Sequence, residues 1–182
     1  MKSPWPGRLL RLLLILFIIG LSVFLYLHRN EVQKLEGYGY PGIFLFNLLS
    51  SATLILPVPG VALTSLMGAI FNPFWVAIAA GTGAALGEIS GYLAGFSGQQ
   101  AAERTPIYAR IEGWMNRYGE IVILVLAIIP NPFFDIAGMM AGALKMPLGR
   151  FLFYCCLGKI IKMLLFAYGG AGLMRLIPGP AQ

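Results

Sequence analysis

The chain has 182 residues, 58% of them hydrophobic and only 11% charged, with a net charge of +6 at pH 7. Soluble domains carry about 25% charged residues, so this composition excludes an ordinary soluble fold and points to one polytopic membrane domain. The cations do not describe a nucleic-acid surface either. Lys2, Arg8 and Arg11 precede the first apolar run and Lys145 and Arg150 flank a later one, the positive-inside pattern rather than a basic groove with interleaved aromatics.

The first element is the apolar run Leu12 to Leu27. It exceeds a signal-peptide core and no A-x-A site follows, so it is expected to be a retained transmembrane helix with a cytoplasmic N-terminus. Residues 28–41 mix Arg29 and Lys34 with Glu31 and Glu36 and read as a short connecting segment outside the membrane. His28, the only histidine, lies at that boundary, which leaves no zinc chemistry.

Next comes "GIFLFNLLSSATLILPVPGVALTSLMGAIF", broken by Pro57 and Pro59 ahead of Gly60. Its first arm, Gly42 to Leu56, would rise about 22 Å as a helix, short of a hydrocarbon core of about 30 Å. One kinked spanning helix fits the run, and so does a re-entrant hairpin, which the short arms favour. The stretch from Phe74 to Phe96 is long enough to span and carries Gly83, Gly87, Gly91 and Gly95 four residues apart. That G-x-x-x-G stripe allows close helix approach, within one protomer or between two, so a homodimer stays open.

Residues 97–120 form a polar break in which Ile107, Ile111, Trp114 and Met115 recur at helical spacing, as in an interfacial amphipathic helix. A second broken run, Ile121 to Leu144, turns at Pro130, Asn131 and Pro132. The prolines remove backbone donors. Asn131 is expected to cap the following arm, with Asp135 in or near its first turn, where the helix dipole favours an anion. A last span, Phe151 to about Gly170, holds Lys159 and Lys162, and a short tail follows. Cys155 and Cys156 are adjacent in this span; neighbours on a helix point about 100° apart, so they do not pair with each other.

The two halves resemble each other. "PVP" at 57–59 matches "PNP" at 130–132, "GAIFNPF" at 68–74 matches "GALKMPL" at 142–148, and "LGEI" at 86–89 matches "LGKI" at 157–160. With the N-terminus inside, the first hairpin enters from outside and the second from the cytoplasm. The expected fold is therefore an all-α polytopic membrane protein: an N-terminal transmembrane helix, then an inverted repeat of two Pro-broken re-entrant hairpins, each followed by a transmembrane helix. Inverted repeats around broken helices belong to proteins that move something across a membrane. The segments are 1–41, the membrane domain 42–170, and the tail 171–182.

The repeat makes Glu88 and Lys159 equivalent, each near the middle of its span. A charge at that depth costs roughly 2.5–3.5 kcal/mol on insertion scales, so unpaired charges here would consume a whole protein's stability. Glu88 and Lys159 are expected to approach each other, with Asp135 nearby and Lys162 one turn beyond. Structural pairing alone satisfies the cost. A hydrated polar seam for lipid headgroups, formed by Glu88, Asp135, Lys159, Lys162 and Asn131, satisfies it and also gives the halves a purpose.

"GAALGEISGYLAG" resembles the VTT domain of the DedA/SNARE-associated Golgi protein superfamily, and "IPNPFFDIAGMMAG" followed by "GKIIK" (158–162) resembles its vacuole membrane protein 1 type. The resemblance covers roughly residues 42–170. It implies two facing re-entrant hairpins and phospholipid scrambling or flipping between leaflets. In the DedA branch it implies carriers such as undecaprenyl phosphate and a link to proton motive force. That branch shows an R-x-x-P-G-x-R pattern, where this chain has Ala127 and Phe133, so the departure favours passive scrambling.

The alternative is a secondary, proton-coupled transporter of a small solute or lipid carrier. No phosphate-binding G-x-x-x-x-G-K-[ST] is present, and no nucleophile stands with a histidine base. No enzymatic activity, cofactor or metal is expected, and the partners are membrane phospholipids. The short termini read as prokaryotic, which puts the expected location in a cell inner membrane.

Overall fold

The computed structural model describes residues 36–52, 60–97, 106–131 and 133–176. The N-terminal span, the hairpin prolines Pro57, Pro59 and Pro132, and residues 177–182 of the tail lie outside the described residues. Contact clustering separates residues 1–36 from residues 37–182, and the membrane domain belongs to the second unit. The described residues form seven helices: α1 (Glu36–Ala52), α2 (Gly60–Ile70), α3 (Pro73–Gly87), α4 (Ile89–Phe96), α5 (Pro106–Ile128), α6 (Phe134–Ala143) and α7 (Leu148–Leu176). Two runs are long and apolar enough to cross a membrane, Pro73–Phe96 and Leu148–Leu173. Helices α2 and α6, with 11 and 10 residues, rise only about 15–17 Å each.

Three boundaries differ from the sequence expectation. Helix α1 begins at Glu36 and carries Pro41 inside it, so part of the expected connecting segment is helical. The missing Pro41 donor would have served Gly37, a residue with no side chain to crowd the ring. The run from Phe74 to Phe96 is not one uninterrupted helix: Glu88 is a turn between α3 and α4, and its N–H reaches the Leu86 carbonyl. Helix α5 runs on from the amphipathic stretch into the second broken run, with non-helical backbone at Tyr118 (φ −140°, ψ 33°). On its expected apolar face Ile111 and Met115 are buried, while Trp114 is half exposed.

Small residues set the packing, as they must where lipid removes the hydrophobic drive between helices. A side-chain carbon at Gly68 would strike the Ala167 backbone, and one at Gly142 would strike that of Tyr92. Likewise Gly170 abuts Ser65, and Gly95 abuts Met139. In each couple the residues of one contact are shifted from those of the other by nearly the offset that relates the sequence motifs. Thus α2 packs on α7, and α6 packs on α4, by corresponding contacts. Gly87 meets Leu48 and Ser51 of α1, while Gly158 meets Leu124 and Ala127 of α5.

The expected glycine stripe is divided rather than continuous. Gly83 and Gly87 face α1, Gly95 faces α6, and Gly91 has no described atom within 4 Å of a side-chain position. The face toward α1 continues past Glu88 to Ser90, while Gly95 turns toward α6.

Turn chemistry fixes the short helices. Asn72 accepts the Phe74 N–H at 3.0 Å and Asn131 accepts the Phe133 N–H at 2.9 Å, the same Asn-Pro-Phe turn used twice. Helix α6 ends with the Lys145 N–H on the Gly142 carbonyl (3.0 Å) and the Met146 N–H on the Ala141 carbonyl (2.9 Å). This double closure puts Lys145 at φ 55°, where glycine usually stands.

Candidate functional site

Glu88 and Lys159 form an ion pair in the interior, and each residue is 5% exposed. Glu88 comes from the turn between α3 and α4. Lys159 comes from an unbroken stretch of α7. The Lys159 ammonium also stands 4.8 Å from the centre of the Phe134 ring, at the start of α6, so one cation joins three elements. Glu88 uses Oε1 for Lys159. Its other oxygen, Oε2, lies 4.0 Å from where a side-chain carbon on Gly138 would be. A larger residue at Gly138 would crowd that carboxylate.

From this pair the charges lead outward. Lys162, one turn further along α7, is partly buried; Asp135, in the first turn of α6, is exposed. Both interact electrostatically with Glu88, and Asp135 also with Lys162. The group holds two carboxylates and two amines, with Glu88 and Lys159 in direct contact. Among the described residues, no group of three or more His, Cys, Asp or Glu is placed to hold a metal. Cys155, one turn before Lys159, is a buried free thiol, and Cys156 is free as well.

Asn131 does not cap α6 as expected, since the residue at that N-cap is Phe133; it organises the turn before the helix. Its Nδ2 donates to the Leu126 carbonyl at 2.9 Å and the Ile129 carbonyl at 2.7 Å, while its Oδ1 takes the Phe133 N–H. The one side chain therefore closes the end of α5 and opens the way to α6. Pro130 is exposed beside it. Gly60 begins α2, and a side-chain carbon there would lie 2.7 Å from Asn47 Oδ1.

Sequence reasoning missed three polar groups on α1, α2 and α4. Asn47, 1% exposed, donates to the Ile43 carbonyl at 2.9 Å. Thr64, fully buried, donates to the Gly60 carbonyl at 2.8 Å. Ser90 ties α4 to the end of α1 by donating to the Ala52 carbonyl at 3.1 Å. The signal was present for Asn47, a lone amide within "GIFLFNLLSS", and the depth argument that singled out Glu88 applies to it equally. At the other end Tyr92 donates to the Met146 carbonyl at 2.6 Å and stacks on Phe151 with centroids 5.1 Å apart, locking α4 to the turn before α7.

Known proteins share this sequence pattern. The VTT domain pattern matches residues 58–172. "Vacuole membrane protein KMS2" of Arabidopsis thaliana is 32% identical over 104 residues, covering 47% of this chain and 25% of that protein. "Vacuole membrane protein KMS1" of the same plant is 36% identical over 56 residues, covering 29% of this chain and 14% of that protein. The chain thus spans a quarter or less of the length of these relatives. No solved structure matches.

Proposed function

The chain belongs to the VTT domain family of membrane proteins, and on that premise we propose that it scrambles phospholipids passively between the two leaflets. In this reading α1–α2 and α5–α6 are re-entrant hairpins of an inverted repeat, entering from opposite faces and meeting at the four charges. Three features support it. The short helices α2 and α6 cannot each span hydrocarbon of about 30 Å. Corresponding glycine contacts join each short helix to the long element of the other half. Non-helical backbone, as at residues 129–131, is tolerated at membrane depth where protein or water surrounds it.

The observation that carries the reading is the buried Glu88–Lys159 pair opening toward Lys162 and Asp135. A phosphate crossing the bilayer needs cations, and a headgroup amine needs carboxylates; both are present while the tails stay in lipid. By the positive-inside rule, Lys145 and Arg150 support a cytoplasmic mouth for the second hairpin. Without the arginines that flank the second hairpin proline in the DedA pattern, no coupling to protons is called for.

The test is reconstitution into liposomes holding a trace of fluorescent phospholipid, followed by a membrane-impermeant bleaching agent. Empty liposomes lose only the outer-leaflet signal, and the protein should extend the loss to the inner leaflet. Asp135→Asn, at an exposed site, should slow that exchange several-fold without loss of folded protein. Bleaching unchanged by the protein would reject scrambling; normal rates in the variant would reject this seam.

A further inference from the structure

Helix α5 carries a feature the seam does not use. At the Tyr118 kink a cleft of about 460 Å³ opens, with Asn116, Arg117, Tyr118, Glu120, Ile121 and Met146 in its wall. A second cleft, also about 460 Å³, runs down the same helix past Trp114, Tyr118, Ile121, Val122, Val125 and Leu126. They share Tyr118 and Ile121 in their walls, so a polar and an apolar hollow lie side by side. Each falls within the roughly 300–1,000 Å³ of ordinary ligand pockets.

The charge is arranged for an anion. Glu120, the carboxylate in the wall, is already held by Arg150 at 3.3 Å. Arg117 lies over the Tyr118 ring, 5.2 Å from its centre, and forms no ion pair among the described side chains. Lys145 stands in the turn between the wall residues Leu144 and Met146. Depth agrees with charge. Trp114 and Tyr118, both half exposed, are amphipathic rings suited to the headgroup level. Ile121 and Val125, also exposed, then face hydrocarbon.

The geometry points to a docking site for one phospholipid, its phosphate against Arg117 in the polar cleft and an acyl chain along Trp114, Ile121 and Val125. A polar cleft alone would fit a free anion and an apolar groove alone would fit any lipid tail; their adjacency at Tyr118 and Ile121 fits a molecule with both parts. The site lies on α5 just before the second hairpin, so lipid held there is poised to enter the seam. That role, though not the binding, rests on the function proposed above.

The chain has three tryptophans, Trp5, Trp75 and Trp114, so the variant W5F/W75F makes Trp114 the sole reporter. Phosphatidylglycerol brominated on its acyl chains is titrated into the full chain in detergent micelles. Quenching of Trp114 should saturate, and Arg117→Gln should raise the half-saturation concentration at least about tenfold, the loss of one charge-assisted hydrogen bond. Arg117→Lys should restore part of it, and Val125→Phe should weaken quenching by filling the groove.

A brominated alkane without a headgroup should quench equally with or without Arg117. Quenching proportional to lipid content and indifferent to Arg117→Gln would mean annular lipid and overturn the site. Displacement by inorganic phosphate would assign the cleft to a free anion and overturn it too. Liposome scrambling by the same proteins separates the two ideas. Saturable binding without scrambling keeps the site and removes the function; scrambling without saturable binding does the reverse.

Discussion

Lys159→Met is the most informative single change. Glu88 is 5% exposed and Lys159 is its ion-pair partner, so the variant strands a buried carboxylate. Removing one member of a buried pair costs roughly 3–5 kcal/mol, and loss of the Phe134 ring contact adds about 1 kcal/mol. Glu88→Gln should cost less, about 2–3 kcal/mol, because Lys159 keeps the ring and the amide still accepts a hydrogen bond. The double variant Glu88→Leu with Lys159→Met leaves no buried charge in the pair and should be near neutral, or more stable by up to about 4 kcal/mol.

Unfolding by sodium dodecyl sulfate from mixed micelles, followed by far-ultraviolet circular dichroism, measures all three. The signature is strong non-additivity. A cost below about 1 kcal/mol for Lys159→Met, the scale of a solvated surface pair, would refute the reasoning, as would costs that simply add. The pair would then be hydrated, and could not lock the two halves together.

The glycine contacts and turns give further outcomes. Gly142→Val should cost about 3 kcal/mol, because its side chain would meet the Tyr92 backbone and the Phe96 nitrogen; Gly149→Ala, with no described atom near it, should be neutral or better in the same titration. Lys145→Gly should raise stability by about 1 kcal/mol by relieving a left-handed backbone, read as a shift in the unfolding midpoint. Asn131→Ala should cost about 1–3 kcal/mol, since it releases both carbonyls at the end of α5 and the Phe133 N–H; Asn131→Asp, which keeps only the acceptor, should fall between.

The sequence was most legible where chemistry repeats. Matching "LGEI" with "LGKI" drew attention to Glu88 and Lys159 together, because buried charges of opposite sign lower their desolvation cost by pairing, and the structure pairs them. Asn131 was legible as a turn residue from its prolines, but it precedes the Phe133 N-cap rather than filling it, and its grip on the Leu126 and Ile129 carbonyls was not legible. The turn at Glu88 was hidden, since Gly87 reads as one member of the glycine stripe rather than as a stop, and the break accompanies a tertiary ion pair. The Tyr118 kink has no proline to announce it, and Lys145 occupies a backbone conformation that composition assigns to glycine.

The proposed re-entrant second hairpin is tested most directly by asking whether its two ends share one side of the membrane. In proteoliposomes of known orientation, with Cys155 and Cys156 replaced by alanine, Asn116→Cys and Lys145→Cys are each exposed to a membrane-impermeant thiol reagent. Asn116 is exposed ahead of residues 121–144, and Lys145 is exposed just beyond the end of α6. Both cysteines should react from the same face. Reaction of the two from opposite faces would mean that residues 121–144 pass straight through, and the account would fall.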